Sequence, residues 1–336
     1  MNASSPATAF RCFLVRQGDK YPSGAVEQQT VNDLPPGEVL VRVAFSSLNY
    51  KDAMAATGDR GVARKLPLAP GIDLAGEVVA STSSHFEPGD SVFATGYELG
   101  VTHWGGWSEY ARVPADWLMK LPAGMSAKET MTFGTAGLTA AQCVLALVEH
   151  GVKPEDGDIV VTGATGGVGS YAIGFLHRLG YRVTAVSGKP EASGWLTELG
   201  ASSLLGRQEM ERDPKPPLLS ARWAGAVDTV GGQTLVNILR ETSLNGCVAA
   251  CGMAGGGKLE MTVFPFILRG VTLAGVGTAY CSRARREQVW GLLAGDWKPN
   301  DIENGVKTVT LDTVFAEVEK MLQGQHQGRT LIDLRS

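Results

Sequence analysis

The spacing of apolar positions changes character twice along the chain. From Phe10 to about Met131, apolar residues come in short runs, at 39–45, 72–79, 91–94 and 107–113, rich in Val, Ile, Phe and Tyr and bounded by glycine and proline. Such runs predict strands, with Gly37, Gly71, Gly89, Gly105 and Gly106 at the turns, and so a β-rich first domain. Between 127 and 151 the period lengthens, and 133–150 reads as a helix rich in small residues, with Gly151 as its stop.

From Asp158 the pattern alternates. The β-branched run Ile159-Val160-Val161 breaks at a glycine cluster, after which Val168, Ala172, Phe175, Leu176 and Leu179 recur at helical spacing. Strands follow at 182–186, 202–205, 225–230, 247–251 and 271–276, with a helix over 191–199 and a proline-rich loop at 213–217. Alternation of this kind predicts right-handed βαβ units on a six-stranded parallel sheet. After Thr278 the alternation stops: a helix over 283–294, a strand at 306–310, another helix and a terminal strand at 329–334 are expected to return to the first domain. The fold class is therefore α/β, with a nucleotide-binding domain at 132–279 inserted into a discontinuous β-rich domain made of 1–131 and 280–336.

Composition narrows the functional classes. No run approaches the roughly eighteen uninterrupted apolar residues of a membrane span, and the polar start Met1-Asn2-Ala3-Ser4-Ser5-Pro6 has no signal-peptide pattern. No membrane partner is expected, and the expected compartment is the cytoplasm. A net charge of −4 argues against a nucleic-acid surface, which needs a basic excess. Five dispersed cysteines suit reduced thiols rather than a disulfide framework.

The glycine cluster carries the chemistry. Ala164 holds the first slot of the dinucleotide fingerprint, with Gly166 and Gly169 in the third and sixth; read from Gly163 the pattern is G-x-x-G-x-x-G. A strand–turn–helix leaves N–H groups unpaired where the helix dipole favours an anion. Thr165, Gly166, Gly167 and Val168 are the candidate pyrophosphate contacts. An acid at the end of the second strand would bind the ribose hydroxyl of NAD. Here Ser187, Gly188 and Lys189 stand in that place, a hydroxyl, a glycine amide and a cation that suit a 2′-phosphate, so the expected cofactor is NADPH.

Several longer motifs, among them 46–52 (SSLNYKD), 70–76 (PGIDLAG), 103–107 (HWGGW), 161–169 (VTGATGGVG) and 223–231 (WAGAVDTVG), give the chain a close resemblance to the medium-chain dehydrogenase/reductases. It is most similar to their zinc-free quinone oxidoreductase branch, and within it to the bacterial acrylyl-CoA reductases. The resemblance implies a Rossmann NADPH domain inserted into a GroES-like catalytic domain. Zinc-dependent members offer a cysteine where this chain has Ser46-Ser47 and Gly-His-Glu where it has Gly71-Ile72-Asp73, so no metal is expected.

The implied reaction is NADPH-dependent reduction of the activated C=C bond of acryloyl-CoA to propionyl-CoA. The alternatives are an NADPH quinone reductase and, in a different class, a non-catalytic NADPH-binding protein of the crystallin type. In relatives a tyrosine matching Tyr50 lies against the nicotinamide, which makes Tyr50 the catalytic candidate, as proton or hydrogen-bond donor or as a pocket wall. Arg207 is a second cation for the 2′-phosphate. Arg329 matches a basic residue near the cofactor, or pairs with a surface acid. Asn49 and Asp52 can instead cap a short helix, and His103 can simply pack. Arg60, Arg64, Lys65, Arg283, Arg285 and Arg286 are all available to coenzyme A phosphates. Relatives commonly dimerise through the last strand of the cofactor sheet, here 271–276, so a homodimer is expected.

Overall fold

The computed structural model describes residues 8–19, 21–213 and 215–335; the polar start and Pro214 lie outside them. The chain forms two compact units, one up to Thr135 together with the segment from Asp301, the other Ala136–Asn300.

The first unit holds β1 (Ala9–Arg16), β2 (Ser23–Thr30), β3 (Val39–Leu48), α1 (Tyr50–Ala56), β4 (Asp73–Ser81), β5 (Ser91–Thr95), β6 (Tyr110–Val113) and β7 (Met119–Lys120). The chain passes to the second unit within α2 (Ala127–His150). The second unit contains β8 (Asp158–Val161), α3 (Gly167–Arg178), β9 (Val183–Ser187), α4 (Ser193–Glu198), β10 (Ser203–Gly206), α5 (Arg207–Glu211), β11 (Trp223–Asp228), α6 (Gly232–Glu241), β12 (Thr242–Ala250), α7 (Phe264–Arg269), β13 (Thr272–Gly275) and α8 (Arg283–Ala294). β14 (Val306–Val309), α9 (Val314–Leu322) and β15 (Arg329–Asp333) complete the first.

In the first unit β1 and β2 form a hairpin, and a seven-stranded sheet runs β14-β15-β3-β4-β5-β7 with β6 also on β3. β15 lies antiparallel to β3, with Thr330 opposite Leu48, so the C-terminal strand brings Arg329 to the chain just before α1. Ala53 and Ala56 share a core with Val314 and Val318 of α9, Trp107 and Ile332. Small residues on α1 let another helix approach closely. Phe13 meets Trp107 edge to face, and the Trp107 indole N–H donates to Ser47 O at 3.1 Å, satisfying its one polar atom.

The second unit has the expected six-stranded parallel sheet, in the order β10-β9-β8-β11-β12-β13. Its central strands β8, β9 and β11 are buried along nearly their whole length because both faces are covered. Val160, Ala226 and Val248 pack with Leu235, Ile238 and Leu239 of α6, while α3 buries Ala172, Ile173, Phe175 and Leu176. β9 and β11 flank β8 on opposite sides, so the loops after β8 and β11 diverge where ligands of such sheets bind.

Two expectations are corrected. The helix expected from 133 begins at Ala127, and it kinks at Gly134 (φ 50°, ψ −152°). By length and composition this helix could cross a membrane, yet 83% of its most apolar window is buried within the protein, as in a core helix. The segment 280–300, expected in the first domain, falls in the second unit. Arg285 pairs with Glu149, Arg286 donates to Ala279 O, and Trp297 packs on Phe175, all in that unit.

Candidate functional site

The turn after β8 is built by glycine where only glycine fits. Gly163 takes a left-handed φ of 58°, and a Cβ on Gly169 would come within 2.9 Å of Ala164 Cα and closer still to Gly163 O. Gly166 caps α3, whose first ladder bond runs from Ser170 N–H to Gly166 O at 2.9 Å. Gly167 and Val168 therefore open the helix with N–H groups ahead of the ladder, and Thr165 is buried beside them. The Gly166 N–H, by contrast, donates to Gly163 O at 2.9 Å. That amide closes the turn, which corrects its expected part as a free donor.

The second group of candidates meets this turn at the same end of the sheet. Ala164 N–H donates to Val186 O, tying the turn to the end of β9. Ser187 closes β9, and its Oγ accepts the Lys189 N–H at 3.0 Å. Gly188 is exposed, while Lys189 is half-buried, and burial pulls its ammonium below the usual lysine range against the pull of Glu191. Ser187 is in register with Gly206, so Arg207 at the start of α5 comes beside Gly188; a Cβ there would lie 3.7 Å from the Arg207 side chain. Arg207 is exposed and pairs with Glu211 at 3.1 Å. A cradle of turn amides with two cations and a hydroxyl beyond it fits a dinucleotide carrying a 2′-phosphate, and no carboxylate stands at the end of β9.

Tyr50 and Arg329 lie in the first unit. Tyr50 is the first residue of α1 and is 53% exposed. Under it sits a buried polar cluster. Asp52 accepts the Asn49 N–H at 2.9 Å, as a cap, and also the Gly71 and Ile72 N–H groups at 3.1 and 2.8 Å. Asp73 accepts from Ser47 Oγ (2.5 Å), Asn49 Nδ2 (2.8 Å) and the Thr135 hydroxyl (2.5 Å). Arg329, only 4% exposed, donates to Thr132 O, Leu48 O and Asn49 Oδ1, while its Nη2 has no hydrogen-bond partner. It is held by backbone carbonyls and Asn49 rather than by a surface acid. A Cβ on Gly134 would lie 2.5 Å from Asp73 Oδ2 and 3.0 Å from Arg329 Nη2, so the kink in α2 exists where the cluster leaves no room for a side chain.

Sequence reasoning passed over Asp73, Thr135 and Gly134; the signal was an acid in place of the Glu in Gly-His-Glu, noted only as a missing metal ligand. Among the described residues no group of three or more His, Cys, Asp or Glu side chains is placed to hold a metal ion. His103 packs, its ring on Trp117 and its Nε2 2.7 Å from Arg112 O, and burial lowers its pKa. Of the cations available to coenzyme A, Arg283 and Arg285 are paired with Glu287 and Glu149 and Arg286 is buried; Arg64 and Lys65 are exposed.

Comparison with known proteins matches residues 35–123 to the alcohol dehydrogenase GroES-like domain and 167–295 to the zinc-binding dehydrogenase family. The probable acrylyl-CoA reductase AcuI of Escherichia coli (strain K12) is 45% identical over 96% of this chain and 99% of its own. The YhdH oxidoreductase of Salmonella enterica, solved with NADP, matches with a TM-score of 0.94 at 45% identity, over 97% of this chain and all of its own. The putative quinone oxidoreductase YhfP of Bacillus subtilis is 42% identical over 98% of this chain and 100% of its own, and its structure with NAD bound also gives a TM-score of 0.94.

Burial and the neighbouring Asp73 raise the Asp52 carboxyl to about 7, against the N–H groups that lower it. The folded state then binds the more protons above pH ~4, so this group's contribution to stability falls as pH rises from ~4 through ~7, by a few kcal/mol at most. Asp52→Asn is expected to flatten that part of the stability-versus-pH profile relative to the unmodified chain, read by denaturant unfolding at a series of pH values.

Proposed function

The chain belongs to the medium-chain dehydrogenase/reductase superfamily, and from that premise we propose that it reduces the activated C=C bond of acryloyl-CoA to propionyl-CoA with NADPH. The observation that carries the reading is full-length likeness to an acrylyl-CoA reductase at 45% identity. NADPH, rather than the NAD carried by the solved YhfP, is favoured by the similar structure that holds NADP and by Ser187, Lys189 and Arg207 at the ends of β9 and β10. Bound NADPH would supply hydride to the β-carbon of the thioester.

The protein's own tasks are to hold the nucleotide, to stabilise the negative charge that reaches the thioester oxygen and to see the α-carbon protonated. Thr165, Gly166, Gly167 and Val168 form the phosphate turn, the last two offering amides and Gly166 closing it. Tyr50 is the residue proposed for the oxygen or the proton; its phenol is exposed at the head of α1 while Asn49 and Asp52 anchor its backbone. Arg329 is proposed as a basic group near the cofactor, held in place by Thr132 O, Leu48 O and Asn49 Oδ1. Arg64 and Lys65 are exposed cations for the coenzyme A phosphates. The likeness to YhfP favours quinone reduction as the second reading.

We also propose a cytoplasmic homodimer. β13 is one of the two edge strands of the parallel sheet, and α7, just before it in the chain, exposes Ile267 (68%) and Leu268 (59%). An open strand edge with an apolar flank pairs with a second copy unless it is covered.

Steady-state rates with acryloyl-CoA, crotonyl-CoA and an ortho-quinone test the substrate: a marked acryloyl-CoA preference is expected, and quinone turnover without thioester turnover would overturn the reading. Lys189→Ala is expected to raise the KM for NADPH about tenfold or more, through loss of a charge-assisted contact, while the KM for NADH stays put; equal shifts for both would remove Lys189 from the phosphate site. Sedimentation equilibrium should find a dimer that Ile267→Glu with Leu268→Glu converts to monomer, and a monomeric unmodified chain would rule the interface out.

A further inference from the structure

The loops that leave β8 and β11 are fastened together by side-chain bonds outside the sheet ladder. The Thr162 hydroxyl donates to Asp228 Oδ1 at 2.7 Å and accepts the Thr229 N–H at 3.1 Å. The Thr229 hydroxyl donates back to Thr162 O at 3.0 Å, and Asp228 Oδ2 accepts the Gly231 N–H at 2.8 Å. Thr162 and Asp228 are both fully buried, and burial raises the Asp228 carboxyl above the usual range against these bonds. The contact is close enough that a Cβ on Gly163, the next residue, would collide with Thr229 Oγ1.

Position in the fold makes this more than packing. β8 and β11 are neighbours in the sheet, but the chain winds away from β8 toward β9 on the other side, so the ladder does not determine how the two loops sit beyond the strand ends. Removing a carboxylate from water is costly and is offset here by a full set of donors. The Thr162 hydroxyl cannot serve both neighbours unless its proton goes to an acceptor, and Asp228 is that acceptor. The amides of the Gly163–Val168 turn are useful to a phosphate only when held at hydrogen-bond distance and angle, and holding them in advance reduces the ordering cost of binding.

We infer that the Thr162–Asp228 bridge holds the glycine turn in register for the dinucleotide, so that Thr162 and Asp228 are positioning residues for NADPH affinity. The inference rests on reading this turn as the pyrophosphate seat. Neither residue touches the nucleotide in this account; each acts through the turn.

The test uses the full chain, with the dissociation constant of NADPH from quenching of tryptophan fluorescence, thermal unfolding without nucleotide, and KM and kcat. Thr162→Val keeps the shape but strands Asp228 Oδ1 and the Thr229 N–H; it is expected to raise the NADPH dissociation constant and KM about tenfold, with the larger change on KM rather than kcat. Thr162→Ser restores the hydroxyl and should return binding close to that of the unmodified chain. A folded Thr162→Val that binds NADPH within about twofold of the unmodified chain overturns the inference, as does a Thr162→Ser no better than Thr162→Val at a matched thermal midpoint. Should Thr162→Val fail to fold, the half-buried Thr229→Ala carries the test, with about threefold weaker binding expected from one lost hydrogen bond and unchanged binding overturning the proposal. An unmodified chain that does not bind NADPH removes the reading of the turn and the inference with it; normal binding with unaffected variants removes the inference alone.

Discussion

No side chain fits at position 169: its first carbon would press on Gly163 O and on Ala164. That close approach lets α3 start directly beneath the end of β8, and the arrangement of the second unit follows from it. The left-handed Gly163 turns the chain, Gly166 caps the helix, and Ala164 bonds to the end of β9, where Ser187 and Lys189 stand. A dinucleotide needs its two phosphate-bearing regions recognised at a set separation, and two adjacent parallel strands supply that spacing.

The first unit is organised by a different constraint, the satisfaction of buried charge. Asp52, Asp73 and Arg329 are all withdrawn from water, and each is placed by donors or acceptors from distant parts of the chain. The strand pairing of β15 with β3 delivers Arg329, the loop before β4 delivers the Gly71 and Ile72 amides, and the kink at Gly134 delivers Thr135. Tyr50 inherits its position from this cluster because α1 is only two turns long and holds little structure by itself. One nitrogen of Arg329 is left without a partner, the single incomplete point in an otherwise satisfied network.

Much of this was legible along the chain. The six parallel strands follow from apolar runs at regular intervals, since the central strands are buried on both faces, and Thr165 to Val168 and Ser187 to Lys189 stand out because glycines and a strand end mark them locally. The capping by Asp52 of its own helix is likewise a three-residue pattern. Thr135 and Asp228 gave no such signal, and Asp73 showed only as an acid in a metal ligand's place. Each is one acid or hydroxyl within or beside an apolar segment, and the hydroxyl–carboxylate bonds Thr135–Asp73 and Thr162–Asp228 join residues 62 and 66 apart. The same holds for the Gly166 amide, spent on its own turn, and for the helix that starts six residues early and bends to make room for Asp73.

The sequence by itself determined most of the elements, their alternation, the family and the glycine turn after β8, because all of these rest on contacts between near neighbours or on the period of hydrophobic positions. Only the tertiary structure decided which buried acids meet which donors, that Arg329 faces carbonyls rather than a surface carboxylate, and that Thr162 and Asp228 clasp the loops on either side of the switch point. The physical reason is that hydrogen bonds are short and directional. Whether a buried polar group is satisfied depends on atoms within about 3 Å, and strand pairing brings those atoms from segments whose separation along the chain carries no trace of their contact.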